Sequence, residues 1–465
     1  MLSRRDFLTT SVPAGVAGLS GLAALPAWGR QEKAEDLKMI SIQSVDSNFE
    51  REKLIRPFGF KGGYMTEMWQ SAVRLESESG ISQIGVCTQN VLYADADVFA
   101  AHSEAGGNAL MYSLTEKALQ IIRKTGFRDP VSLIDTILPE VYMEGQRLTG
   151  KRGLNKIFAL NALIGIDNAA WLLYAAENGF RDFDAMVPQA YKQALGYYND
   201  QVAVIYLASY GLPIAELKEA VQQGYFVIKI KIGQPGTQAE MLEKDKARLT
   251  EVHNAIKNAR TPKTKTGKLF YTLDANARYE KKETFLRLLD HAKKIGAWEQ
   301  ILLIEEPLTE INDENVADMG IRIAADESAH DEAGVLRRLE QGYGALALKG
   351  IAKTLSLSMK MARLAHDRGI PCLCADLTVN PILIDWHKNL AARLAPFPDL
   401  GMGLMETNGN LNYLNWEQMI SYHPRRQAPW TVAREGAFHL NADFFAQSGG
   451  IFQPSVHYQN MFKKA

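Results

Sequence analysis

The chain reads as an α/β protein: a TIM-type (β/α) barrel preceded by an N-terminal α+β capping domain. Three observations predict it. From residue 202 onward, short β-branched runs alternate with helical segments eight times, the rhythm of a parallel barrel. Before that, strand-like alternation gives way to apolar residues at three-and-four spacing, as in a domain of strands followed by helices. The 465 residues are 46% hydrophobic and 23% charged. That is enough apolar surface for a large core, which excludes a disordered chain and leaves room for one barrel of roughly 250 residues plus an accessory domain.

Residues 1–29 read as an address. Arg4 and Arg5 precede an Ala- and Gly-rich stretch over 12–28, an arrangement that resembles a twin-arginine export signal cleaved near Ala27 or Gly29. The mature chain is then expected in the periplasm or otherwise exported. The stretch is short and glycine-rich for a spanning helix of about 20 strongly apolar residues, so no permanent membrane span is expected once it is removed.

The capping domain is assigned to residues 38–198. Runs 39–45, 72–76 and 84–92 read as antiparallel strands. A long segment containing Phe58, Gly59, Phe60, Lys61, Gly62, Gly63 and Tyr64 lies between the first two and is expected as a loop. Apolar spacing predicts helices over 114–123, 131–144 and 157–177. The barrel is assigned to 199–423, with strands at 202–207, 226–232, 270–273, 302–304, 321–324, 345–348, 370–375 and 401–405. An open doubly wound sheet is the alternative, but it would carry a glycine-rich phosphate loop after its first strand, and neither GxGxxG nor GxxxxGK[ST] occurs. Arg260, Lys263, Lys265 and Lys268 mark a solvated insertion at 258–268. The tail, 424–465, with a strand-like stretch at 437–440, is expected to return to the capping domain.

Global charge carries little functional information. With 52 Lys and Arg against 53 Asp and Glu, the chain has no electrostatic footprint for nucleic acid or an anionic membrane. Three cysteines are too few for a disulfide framework. Nine histidines include no HxxH or HExxH pair, which argues against a zinc hydrolase.

The ends of the barrel strands, where such barrels keep their chemistry, are unusually polar. The second ends Lys229-Ile230-Lys231, two lysines on one face. The third ends Asp274-Ala275-Asn276, the fourth Glu305-Glu306-Pro307, the fifth Asp326-Glu327-Ser328 and the sixth Lys349-Gly350. Singly, these are turn or helix-start signals. Jointly, adjacent strands about 4.8 Å apart bring Asp274, Glu305 and Asp326 to one point, where three ionised acids need a cation. All-oxygen ligation favours Mg²⁺, or Mn²⁺.

The ordered set KxK, DxN, EEP, DES and a sixth-strand lysine resembles the enolase superfamily, in its mandelate racemase/muconate lactonising branch and lysine-lysine subgroup. Ile166-Asp167-Asn168-Ala169-Ala170-Trp171 resembles that family's boundary helix. The resemblance implies that Asp274, Glu305 and Asp326 bind Mg²⁺ and that Lys231 and Lys349 are opposing acid/bases, with Lys229 beside them. It implies that Asn276 and Glu327 orient the ligands. It further implies a homo-oligomer and a small carboxylate substrate, enclosed by loops of the capping domain such as the one bearing Phe58, Phe60, Lys61 and Tyr64. The implied activity is that of a racemase or epimerase abstracting the α-proton of a carboxylate through a metal-stabilised enediolate. A lyase (dehydratase) or cycloisomerase is the alternative, and a non-catalytic periplasmic binding protein a third reading.

Two departures qualify the resemblance. The seventh strand, ending Cys374-Ala375-Asp376, offers no histidine, so the His-Asp pair of mandelate racemase itself is missing. The eighth ends Glu406-Thr407-Asn408 where dipeptide epimerases carry Asp-x-Asp, leaving Glu406, with Asp376, as candidate substrate contacts.

Overall fold

The first two strands, β1 (Ile42–Phe60) and β2 (Gly63–Ser77), form a long antiparallel hairpin, and β3 (Ser82–Gln89) adds to β2. The computed structural model describes residues 37–463, so the export signal expected at 1–29 lies outside the described residues. The segment expected as a loop is the tip of this hairpin, with Phe58 opposite Met65, Gly59 opposite Tyr64 and Phe60 opposite Gly63. Lys61 (φ 48°) and Gly62 (φ 75°) make the turn. Positive φ at both central residues is the two-residue geometry that matches strand twist. The period of β1 is obscured because much of 43–51 is exposed, and because Pro57 accompanies a register shift between Lys53 and Phe58.

Helices α1 (Val91–Ala94), α2 (Ala96–Ile122), α3 (Pro130–Thr149), α4 (Lys156–Ala162) and α5 (Ile164–Asn178) complete the capping region. α2 starts well before the expected 114 and breaks at Ser103 (φ 66°). The helix expected over 157–177 is two, bent by 47° at Leu163. α5 lies so close to β3 that a Cβ on Gly85 would sit 2.1 Å from the Gly165 carbonyl oxygen, a place only glycine fills. No single helix among the described residues is long and apolar enough to cross a membrane.

Eight parallel strands follow: β4 (Gln201–Ala208), β5 (Val227–Lys231), β6 (Phe270–Asp274), β7 (Ile301–Glu305), β8 (Ile323–Ala325), β9 (Ala345–Leu348), β10 (Cys372–Cys374) and β11 (Gly403–Glu406). They pair in sequence order, and β11 closes on β4 from Gly403 opposite Val202 to Glu406 opposite Ile205. Almost every strand residue is buried. The near-continuous apolar runs follow from helices outside and side chains inside. The tail adds β12 (Ala437–His439), antiparallel to β4, and then reaches the capping sheet, where the Asn48 amide donates to the Met461 carbonyl at 2.9 Å and His457 pairs with Glu50. It thus returns to the cap by way of the barrel. The basic insertion is less free than expected: Thr261 and Thr264 are buried, and Lys263 lies 3.5 Å from Glu435 of the tail.

Asp167 is among the residues that tie the cap to the barrel mouth. Asp167 of α5 accepts from the backbone N–H groups of Leu355 (2.8 Å) and Ser356 (3.2 Å), and from the Ser356 hydroxyl. It thereby caps the helix Leu355–His366 that follows Lys349.

Candidate active site

Strand register gathers the predicted residues. Lys231 stands opposite Asp274 and Asp274 opposite Glu305, and Asp326 directly follows β8. All three acids are essentially fully buried.

Lys229 and Lys231 occupy one side. The Lys229 ammonium lies 2.8 Å from Asp274 Oδ2, 3.0 Å from both Glu305 oxygens and 2.8 Å from Glu406 Oε2. Lys231 donates to Asp274 Oδ2 at 2.5 Å and to Asn276 Oδ1 at 2.7 Å. Asn276 passes the link on, its amide donating to Glu327 Oε1 at 2.8 Å. On the other side, Lys349 donates to Asp326 Oδ2 at 2.5 Å.

Other predicted residues divide. Asp376 and Glu406 lie together, the Asp376 N–H donating to Glu406 at 3.3 Å, while the Asn408 N–H donates to Asp376 at 2.8 Å. Phe58 and Phe60 are buried and line the cavity with Leu207 and Leu377. Lys61 points its ammonium to the Tyr93 carbonyl at 3.0 Å. Tyr64 is 49% exposed and stands outside the cavity wall. The cavity holds about 30 Å³ of free space, room for one or two waters, so a substrate enters only if side chains or the hairpin tip move.

Three further residues take part, Lys353 and Tyr93 without a recognisable sequence signal and Glu306 from within the EEP motif. Lys353, fully buried, donates to Asp326 Oδ1 at 3.0 Å and to the Asp326 and Ala329 carbonyls at 2.7 and 3.2 Å. Tyr93, from α1, donates its hydroxyl to the same Oδ1 at 3.1 Å. Glu306 accepts from the Asp326 N–H at 2.7 Å and the Ser328 hydroxyl at 2.9 Å, with Arg338 at 3.5 Å.

Burial alone would raise each carboxyl. Lys229 and Lys231 nevertheless hold Asp274 well below the usual range, and Lys349 and Lys353 do the same for Asp326. Glu305 goes the other way: burial raises it, and Asp274 and Asp326 add to the effect against Lys229. Asp376 is pushed up to about 7 by burial and by Glu406. Burial opposes the charge on Lys229 and Lys349, yet the acids around them raise both.

Lysine ammonium groups contribute to neutralising Asp274 and Asp326. Among the described residues, no three acids are grouped as ready-made ligands. The donor set still fits a hard divalent cation. Six buried acids (Asp274, Glu305, Asp326, Glu327, Asp376, Glu406) share the barrel mouth with four buried lysines (Lys229, Lys231, Lys349, Lys353), and the lysines do not offset burial at Glu305, Glu327 and Asp376, whose pKa values stay raised. Glu327 Oε2 is buried without a hydrogen-bond partner. Oxygen donors in excess of local positive charge suit Mg²⁺ or Mn²⁺.

Comparison with known proteins agrees with the architecture. The chain resembles a dipeptide epimerase from Enterococcus faecalis complexed with Mg and L-Leu-L-Tyr at 19% identity, covering 80% of this chain and 92% of that one with a TM-score of 0.56. A muconate lactonizing enzyme from Pseudomonas fluorescens, complexed with muconolactone, matches at 18% identity over 86% and 94% of the two chains, with a TM-score of 0.59. An N-succinyl Arg/Lys racemase from Bacillus cereus matches at 16% over 81% and 89%, with a TM-score of 0.56. No curated protein matches in sequence. The model of the Enolase C-terminal domain-like family matches residues 214–418. Over those residues the barrel of this chain is similar to the Enolase C-terminal domain-like family.

Proposed function

We propose that the chain is a racemase or epimerase of the lysine-lysine kind, moving the proton α to a substrate carboxylate. One observation carries the reading. Lys231 and Lys349, from the second and sixth of eight barrel strands and so on opposite sides, line one small cavity with the acid cluster between them.

Asp274, Glu305 and Asp326 would hold Mg²⁺, or Mn²⁺, which when bound would stabilise the negative charge developing on the substrate carboxylate. The chain supplies the rest. Lys349, kept as an ammonium by its acid neighbours, is poised to deliver a proton to one face of the α-carbon. Lys231 stands at the opposite face and accepts one as the neutral amine, after giving up its own ammonium proton to solvent, with Asn276 fixing its head at 2.7 Å. Removal on one face and delivery on the other inverts the centre. Phe58 and Phe60 line the cavity with apolar surface, and excluding water there would strengthen each of these electrostatic contacts. Asp376 supplies, from the β10 side, a second acid beside Glu406, and the pair supports a substrate carrying an amino group as well as a carboxylate.

The test is proton exchange. Dipeptides, N-acyl amino acids and sugar acids are incubated with the mature chain and Mg²⁺ in D₂O and followed by NMR. Deuterium at the α-position of unrearranged substrate, lost in Lys231→Ala and Lys349→Ala, is expected. A new alkene, ketone or lactone would instead assign a lyase or cycloisomerase, and binding without exchange or turnover a binding protein. Export is part of the proposal, and N-terminal sequencing of the periplasmic product should find the chain starting near residue 30, with cytoplasmic retention in an Arg4→Lys, Arg5→Lys variant.

A further inference from the structure

We propose that Tyr93 is a positioning residue through which the capping domain controls cation binding at the barrel mouth. This rests on the reading of Asp274, Glu305 and Asp326 as the Mg²⁺ site.

Asp326 is held unevenly. Its Oδ1 accepts from the Tyr93 hydroxyl (3.1 Å) and the Lys353 ammonium (3.0 Å), whereas Oδ2 has one partner, Lys349. The two partners of Oδ1 come from different parts of the chain. Lys353 belongs to the barrel and goes where Asp326 goes, while Tyr93 arrives from α1 in the cap. Its hydroxyl is an uncharged donor, so it orients the carboxylate without cancelling the charge that a cation needs. Its ring also lies 4.0 Å from the Lys349 ammonium, within cation–π range. One side chain thus touches both the acid and the lysine that competes for the acid's second oxygen.

The cap holds Tyr93 firmly. The Asn90 side chain accepts from its N–H at 2.9 Å, the Asn161 side chain accepts from the Asn90 N–H at 3.0 Å, and the Asn108 side chain from the Val91 N–H at 3.2 Å. Lys61, at the hairpin tip, holds its carbonyl. All of α1 is buried, and Tyr93 is 2% exposed. A shift of the cap therefore moves the hydroxyl away from Asp326 and releases both oxygens to the lysines. Loss of such an orienting partner typically weakens metal affinity about 10- to 100-fold.

Calorimetric titration of the mature chain with MgCl₂ tests this, with melting in EDTA measured alongside. Tyr93→Phe keeps the ring and removes the hydroxyl, so it should bind Mg²⁺ about 10-fold more weakly than wild type while melting within a few degrees of it in EDTA. Lys61→Met should weaken binding in the same direction by less. If Tyr93→Phe binds like wild type, including where its metal-free melting falls, the residue is merely structural and the proposal is overturned while the metal site stands. If wild type takes up no Mg²⁺, or Asp274→Ala binds it as well as wild type does, the metal reading fails and the role of Tyr93 fails with it.

Discussion

The two lysine-bearing sides of the barrel mouth solve the same electrostatic problem differently. On β5, Lys229 and Lys231 share Asp274, Glu305 and Glu406, acids contributed by three strands. On the β9 side, Lys349 and Lys353 converge on Asp326 alone. A buried charge that loses its only partner is far more costly than one with partners in reserve. Lys229 on the β5 side therefore has carboxylates in reserve, although Lys231 depends on Asp274, whereas both lysines of the β9 side hang on one carboxylate.

Single substitutions should expose that asymmetry. Asp326→Ala strands two buried ammonium groups and is expected to cost about 3–5 kcal/mol in urea unfolding with EDTA present. Lys353→Met leaves Asp326 with Lys349 and Tyr93 but frees the Asp326 and Ala329 carbonyls it was holding, at about 2 kcal/mol. Glu406→Gln leaves Lys229 with Asp274 and Glu305, at about 1 kcal/mol. Equal costs for Asp326→Ala and Glu406→Gln would remove the distinction between the sides.

The β5 side was the more legible of the two in sequence. Its lysines alternate with isoleucines on a strand, and its acids end strands whose order the β-branched runs announce, so period and register suffice to bring them together. Lys353 lies in a turn, where no period assigns a direction to a side chain. Tyr93 reaches the site only because α1 folds against the barrel, a long-range contact that no local pattern encodes. The hairpin tip departs from the expected loop for a related reason. A half-exposed strand carrying Pro57 lacks clean alternation, and Lys61 in the left-handed region is a position that turn statistics assign to Asn, Asp or Gly. The lysines' neutralisation of their own acids was also beyond reach, since it depends on rotamers.

The smallest expected effect concerns what steadies the β9 side from behind. Asp167 caps the helix after Lys353 from within the cap, and burial, against its hydrogen bonds to Ser356 and Leu355, pushes its pKa from 3.8 to about 7. An acid whose folded pKa is raised binds its proton more tightly when folded. Its contribution to stability is full below about 3.8 and is lost as pH rises through about 7. Glu306 and Asp376 are raised to about 7 as well and act in the same window. Asp274 and Asp326 are depressed, so their contributions change only below the unfolded value of 3.8 and do not overlap it. These three acids should therefore pull stability down between pH 4 and 7, each by at most about 1.4 kcal/mol per pH unit, against the opposite contribution of His387, whose pKa burial lowers to about 3. Asp167→Asn mimics the protonated acid and keeps an acceptor for the helix N–H groups. It should flatten that slope by one group's share while leaving the low-pH stability within about 1 kcal/mol of wild type. Urea unfolding at half-unit pH steps measures it; an unchanged slope would mean that Asp167 stays ionised, and that the cap holds the β9 turn through a charge rather than a shared proton.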